Sequence, residues 1–185
     1  MRPLLILLLA ALPGWPLANT YVQYKDWSVY ITEVDTGQDL RRTCSASTGG
    51  DGLPRLSITT SNGDAGPPLD YPTPLIEERA PRGYGTQIQP GDYIIYEFDD
   101  GSGAEATLET GYEEGVFPFA RVQPFPREIL WMLQSMRSAQ TISIYRVSRD
   151  TAAREPVTTF SLAGFTAAYL KMIESCGHIP GEVIR

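Results

Sequence analysis

The sequence predicts a mainly β protein: one antiparallel, β-sandwich-like domain of seven to nine strands carrying two α-helices, the C-terminal one disulfide-linked to an N-terminal strand. Three observations predict it. Short runs of alternating apolar and polar residues recur between turn-forming residues. Two stretches, near 126–138 and 165–176, switch instead to helical spacing. Only two cysteines are present, Cys44 and Cys176, near opposite ends of the chain.

The first eighteen residues, MRPLLILLLAALPGWPLA, place one positive charge before an apolar run from Leu4 to Leu12, followed by Pro13, Gly14, Pro16 and a small residue. This order predicts a secretory signal peptide over 1–18, cleaved after Ala18. Its apolar core is shorter than the roughly 20 residues a bilayer span needs. Residues 19–185 then form a single domain large enough to bury a core, placed in the periplasm or outside the cell, with no membrane span after cleavage.

WSVYITEV puts Trp27, Val29 and Ile31 on one side and Ser28, Tyr30 and Thr32 on the other. DTGQD turns, and LRRTCSAS returns, so a first hairpin is expected. Arg42 shares a side with Leu40 and Cys44; either it is paired inside or the strand is bulged. GGDG breaks the chain, and LPRLSITT supplies a third strand through Leu56 and Ile58. From 63 to 90, prolines and glycines exclude a long helix and leave at most edge strands. So long a loop is expected to wrap the core, anchored by Tyr71, Leu75, Ile76 and Tyr84.

GDYIIYEFDDGSGAEATLET is the clearest hairpin. Ile94, Tyr96 and Phe98 alternate, DDGSG turns, and Ala104, Ala106 and Leu108 alternate against Glu105, Thr107 and Glu109. VFPFARVQPFP reads as an extended stretch divided by prolines. Pro126 opens a helix whose stripe is Ile129, Met132, Leu133 and Met136. TISIYRV and VTTFSL are strands, and the second feeds a closing helix.

On that helix Phe165, Ala168, Tyr169, Met172, Ile173 and Cys176 share one face, so Cys176 points inward, and Gly177 suits its end. Two cysteines in an exported chain admit one intramolecular bond, Cys44 to Cys176. It closes a loop of about 130 residues, for which chain entropy sets an upper figure of roughly 5 kcal/mol. The alternative is two unpaired buried thiols.

Acidic residues outnumber basic ones 22 to 15, a balance that repels phosphate backbones and argues against nucleic acid as a partner. HExxH, GxSxG, CxxC and a phosphate-cradling glycine loop are absent from the sequence. His178 is the sole histidine, so a Ser-His-Asp site would rest on it; the plainer reading is a solvated residue in an exposed tail. No cofactor is implied.

The candidate interaction surface comprises Glu97, Asp99, Asp100, Glu105, Glu109 and Trp131. Its acids read as a solvated face, as a docking surface for a cationic partner, or as a calcium site lacking EF-hand spacing. Trp131 falls about 200° around the helix from Ile129, away from the buried stripe. Either the proline-rich loop covers it or it is a contact residue.

PFPREILWMLQSMRSAQTISIYRV with FSLAGFTAAYLKMIESC resembles the C-terminal half of the invasion-associated locus B family, small exported proteins of alphaproteobacteria. KDWSVYITEV, with Cys44 downstream, is similar to that family's first strand. Ser161, Gly164, Phe165, Ala167 and Ala168 match in type. The resemblance implies packing roles for them: Gly164 lets the strand-to-helix corner turn, and the two alanines let the helix approach a sheet. Tyr30 and Ile31 stand where many relatives carry an extra cysteine. The resemblance implies a β-sandwich-like fold in the periplasm or at the cell surface. The expected function is a non-enzymatic module binding a protein or envelope component; the alternative is a periplasmic hydrolase using carboxylates near the 93–110 hairpin, Glu97 and Glu109 among them.

Overall fold

The computed structural model of the chain describes residues 17–50, 54–113, 117–148 and 151–183. The expected leader lies outside these residues up to position 16.

The chain is mainly β. Among the described residues ten strands follow in sequence as β1 (Leu17–Tyr24), β2 (Trp27–Asp35), β3 (Leu40–Gly49), β4 (Arg55–Ser61), β5 (Leu75–Arg79), β6 (Tyr93–Phe98), β7 (Gly103–Glu113), β8 (Phe117–Pro124), β9 (Thr141–Val147) and β10 (Arg154–Ser161). Helix α1 (Ile129–Ser138) separates β8 from β9, and α2 (Phe165–Ser175) follows β10. All pairings are antiparallel and form one sheet in the order β1-β2-β3-β4-β5-β8-β7-β6-β9-β10.

The sheet curls until its ends meet, which is how one sheet covers a core from two sides. The Trp27 indole N–H donates to the Ser161 carbonyl at 3.0 Å, and the Asp26 N–H donates to the Ala163 carbonyl at 3.2 Å. The alternation read in the sequence decides which side chains face inward. Trp27, Val29, Ile31, Leu56, Ile58, Ile94, Tyr96, Ile142 and Ile144 are all buried in the core. Fully burying each such side chain stabilises the fold by about 1.5–3 kcal/mol.

The proline-rich stretch departs from expectation. It supplies β5, which pairs with β4 on one side and β8 on the other and is therefore interior, not an edge strand. Pro72 and Pro74 precede β5 and Pro81 follows it, so no ladder N–H is lost. Ile76 anchors the stretch in the core, whereas Tyr84 is 72% exposed and anchors nothing. VFPFARVQPFP provides a true strand, β8. In β10, an edge strand, the register shifts between Pro156 and Thr158, as a proline at a bulge allows.

Helix α2 lies against β2 and β3 through Phe165, Ala168, Tyr169, Met172 and Ile173. Phe165 meets Trp27 edge-on, with ring centroids 5.1 Å apart. Gly164 has φ +97°, and a Cβ there would lie 1.9 Å from the Tyr24 carbonyl oxygen, so only glycine turns this corner. Ala168 faces the sheet; Ala167 is exposed and takes no part in the approach.

At the helix end, Gly177 (φ +82°) donates to the Glu174 carbonyl and His178 to that of Ile173, both at 3.0 Å, a Schellman closure. Cys176 is bonded to Cys44, with Cα atoms 6.0 Å apart, and the bond joins α2 to β3. Arg42 is paired, and β3 keeps an unbroken register with β2. Its Nε donates to Glu33 at 2.6 Å and a terminal nitrogen to the Ser175 carbonyl at 2.7 Å. A cation there also complements the negative end of α2.

Candidate functional site

The acids of the central hairpin do not act as one group. Glu97 is held by Arg154, whose guanidinium also lies over the Tyr145 ring at 3.8 Å. The Asp99 carboxylate accepts main-chain N–H groups from Gln140 at 3.0 Å and Thr141 at 3.5 Å, which ties the β6–β7 turn to the start of β9. Asp100 accepts the Ser102 N–H at 2.8 Å, and the Ser102 hydrogen bonds hold its carboxyl below the usual range. Glu109 is largely exposed, 4.0 Å from Arg121, whose nearer acidic partner is Glu77 at 2.8 Å. Only Glu105 of the five is left without an ion pair or side-chain hydrogen bond among the described residues.

Glu105 and Trp131 do come together. They line a cleft of about 400 Å³ with Gly103 and Ala104 on one wall and Arg127 and Glu128 on the other. The chain path makes the cleft. Strand β8 leaves β7 at Pro124, opposite Ala106, so Gly103–Glu105 are paired with β6 alone. The chain then turns through a short 3-10 segment, Pro126–Glu128, and α1 begins across the gap.

Trp131 is half-buried. Its ring packs edge-on against Phe98, centroids 5.7 Å apart, so the hairpin supports it. Its remaining surface faces the cleft. Arg127, whose side chain is 80% exposed, lies over the Phe125 ring at 5.4 Å and approaches one oxygen of Glu128 at 3.5 Å.

The other Glu128 oxygen is buried and accepts no hydrogen bond, and the Tyr96 hydroxyl, on a fully buried side chain, also makes none. Burial, and then the nearby Glu128 charge, push the Tyr96 hydroxyl well above its ordinary pKa. Leaving a buried polar group unpaired costs about 1–3 kcal/mol. Sequence reasoning missed Glu128 and Arg127. The only available signal was their place one turn ahead of Trp131.

His178 is not a solvated residue. It is half-buried beside Gly66, and its Nε2 lies 2.8 Å from the Ser61 carbonyl. A carbonyl only accepts, so Nε2 carries the hydrogen. The Ser61 hydroxyl donates to Asp64 at 3.1 Å and not to the imidazole. Serine, histidine and aspartate are thus adjacent without the hydroxyl-to-imidazole bond that would activate a nucleophile. Among the described residues no three or more His, Cys, Asp or Glu side chains group as metal ligands.

Comparisons with protein-family models, with curated proteins and with solved structures return no match.

Proposed function

We propose that this chain is an exported, non-enzymatic recognition module of the bacterial envelope, related to the invasion-associated locus B proteins, and that it binds a protein or envelope component through the Trp131 cleft. The observation that carries the reading is Trp131 itself, half-buried on Phe98 and open to a cleft flanked by Glu105 and Glu128. A rigidly backed indole beside charged groups is the composition of a binding hot spot. The Cys44–Cys176 bond is compatible with an oxidising compartment. Among the described residues no helix is long and apolar enough to cross a membrane.

The test is capture from envelope extract by the intact chain and by Trp131→Ala. Saturable capture by the first, reduced at least tenfold in the second, supports the reading; equal capture by both sinks it.

The hydrolase alternative shifts with the geometry. Glu97 is occupied by Arg154, so the carboxylates available to act together are Glu105 and Glu128 across one cleft. It requires activity on a glycan or ester substrate that Glu128→Gln abolishes.

A further inference from the structure

We propose that the Trp131 cleft receives the cationic side chain, lysine or arginine, of an extended peptide segment that lies along the open edge of β7. This rests on the reading of the cleft as the binding site and adds the chemistry of its occupant. The charge pattern asks for a cation. Glu105 has no partner among the described residues, and the accessible oxygen of Glu128 meets Arg127 only at 3.5 Å. The one guanidinium lining the cleft, Arg127, is turned over Phe125 and is 80% exposed, so an incoming cation can take its place beside Glu128. An incoming N⁺–H group would make charge-assisted bonds with Glu105 and with the Glu128 oxygen that faces Arg127, each roughly twice as strong as a neutral one. Beside it stands the Trp131 ring, the best aromatic partner for a cation.

The edge of β7 argues for a peptide over a free amine. The Phe98 N–H donates to the Ser102 carbonyl at 2.8 Å, and Tyr96 lies opposite Ala104. In the antiparallel alternation, Ser102, Ala104 and Ala106 therefore direct their main-chain groups to β6, while Gly103 and Glu105 direct theirs to the other side. That is the side from which β8 departs after Pro124. An added strand there would run past Trp131 and the two carboxylates, the arrangement of peptide recognition by strand addition. The hydroxyl-lined cavity of about 280 Å³ near Asp64 offers no such demand, because both Asp64 oxygens are already engaged by Ser61 and Thr60.

The experiment titrates the oxidised chain with acetyl-Ala-Val-Lys-Val-Ala-amide, its arginine and norleucine counterparts, a backbone N-methylated lysine peptide, and cadaverine. Binding is read by calorimetry and by Trp131 emission, with Trp131→Phe as the control. The lysine and arginine peptides are expected to bind saturably, and norleucine, N-methylated peptide and cadaverine at least tenfold more weakly. Glu128→Gln, with its near-ultraviolet circular dichroism unchanged, is expected to weaken the lysine peptide about tenfold and leave the norleucine peptide unaffected. Equal binding of lysine and norleucine peptides, indifference to Glu128→Gln, or no peptide binding would overturn the cationic occupant; cadaverine binding as well as the lysine peptide would overturn the peptide. Should any of these occur while Trp131→Ala still abolishes capture from extract, the recognition reading stands and this inference falls. If Trp131→Ala leaves capture intact, both fall.

Discussion

Glu78 holds two main-chain groups on one buried carboxylate: it accepts the N–H of Gln87 at 2.6 Å and that of Ile88 at 3.1 Å. The contact seats Ile88 in the core and closes the second half of the proline-rich stretch over it. Glu78→Ala removes both acceptors and is expected to cost about 1–3 kcal/mol for each N–H left unpaired, read from the urea midpoint. Glu78→Gln keeps one acceptor oxygen and should lose less, so equal losses in the two variants would contradict this account. Single residues of this kind were poorly legible. In LIEER, Glu78 shares a strand side with the core residue Ile76, a conflict like that of Arg42, and its acceptor role depends on a chain segment nine residues away. Trp131 was legible as an anomaly on its helix, but the identity of its support, Phe98, was not. Arg42 was read correctly as a conflict with its strand side; its resolution needed the C-terminal end of α2.

At the scale of elements, β5 is the informative strand. It joins the β1–β4 half of the sheet to the half that begins with β8; Glu77 ties it to β8 through Arg121 at 2.8 Å, while Arg79 of the same strand holds the other carboxylate oxygen at 2.7 Å. Desolvation pushes the Glu77 carboxyl up, but its hydrogen bonds to Arg79 and Arg121 outweigh this and hold it below the ordinary value. A depressed folded pKa contributes stability that is present above the unfolded value and lost as pH falls through the folded one. The wild-type chain is therefore expected to lose stability between about pH 5 and pH 3, and Glu77→Gln to flatten that loss. Identical acid profiles from urea unfolding at both ends of this range would remove Glu77 from the explanation. The prolines from which the sequence excludes an interior strand flank β5 without entering it, which composition over a 28-residue window does not resolve.

Over the whole molecule, the ends of the sheet are closed by Trp27 against Ser161 and Phe165 and by the bond from Cys44 to Cys176. The disulfide spans 132 residues. For such a loop chain entropy sets an upper figure of about 5 kcal/mol, and measured bonds commonly give about 2–4 kcal/mol. A Cys44→Ala, Cys176→Ala double variant should lose stability in that range under non-reducing conditions while keeping its far-ultraviolet circular dichroism. A loss below about 0.5 kcal/mol would mean that packing of α2 alone holds the ends together.

Read from the chain alone, the strands β2–β4, β6, β7, β9 and β10, both helices, their inward faces, the helix-closing Gly177 and the cysteine pairing are legible, whereas β1 is not expected and the strand count is put at seven to nine. Alternation and helical spacing are local properties of a chain, and two cysteines admit a single intramolecular bond. That the strands form one curled sheet, that β5 is interior, and that Glu105, Glu128 and Trp131 share a cleft became visible only in three dimensions. Those outcomes depend on which strands pair across long separations and on where β8 parts from β7, and hydrogen-bond partners at that range leave no periodic trace in the residues themselves.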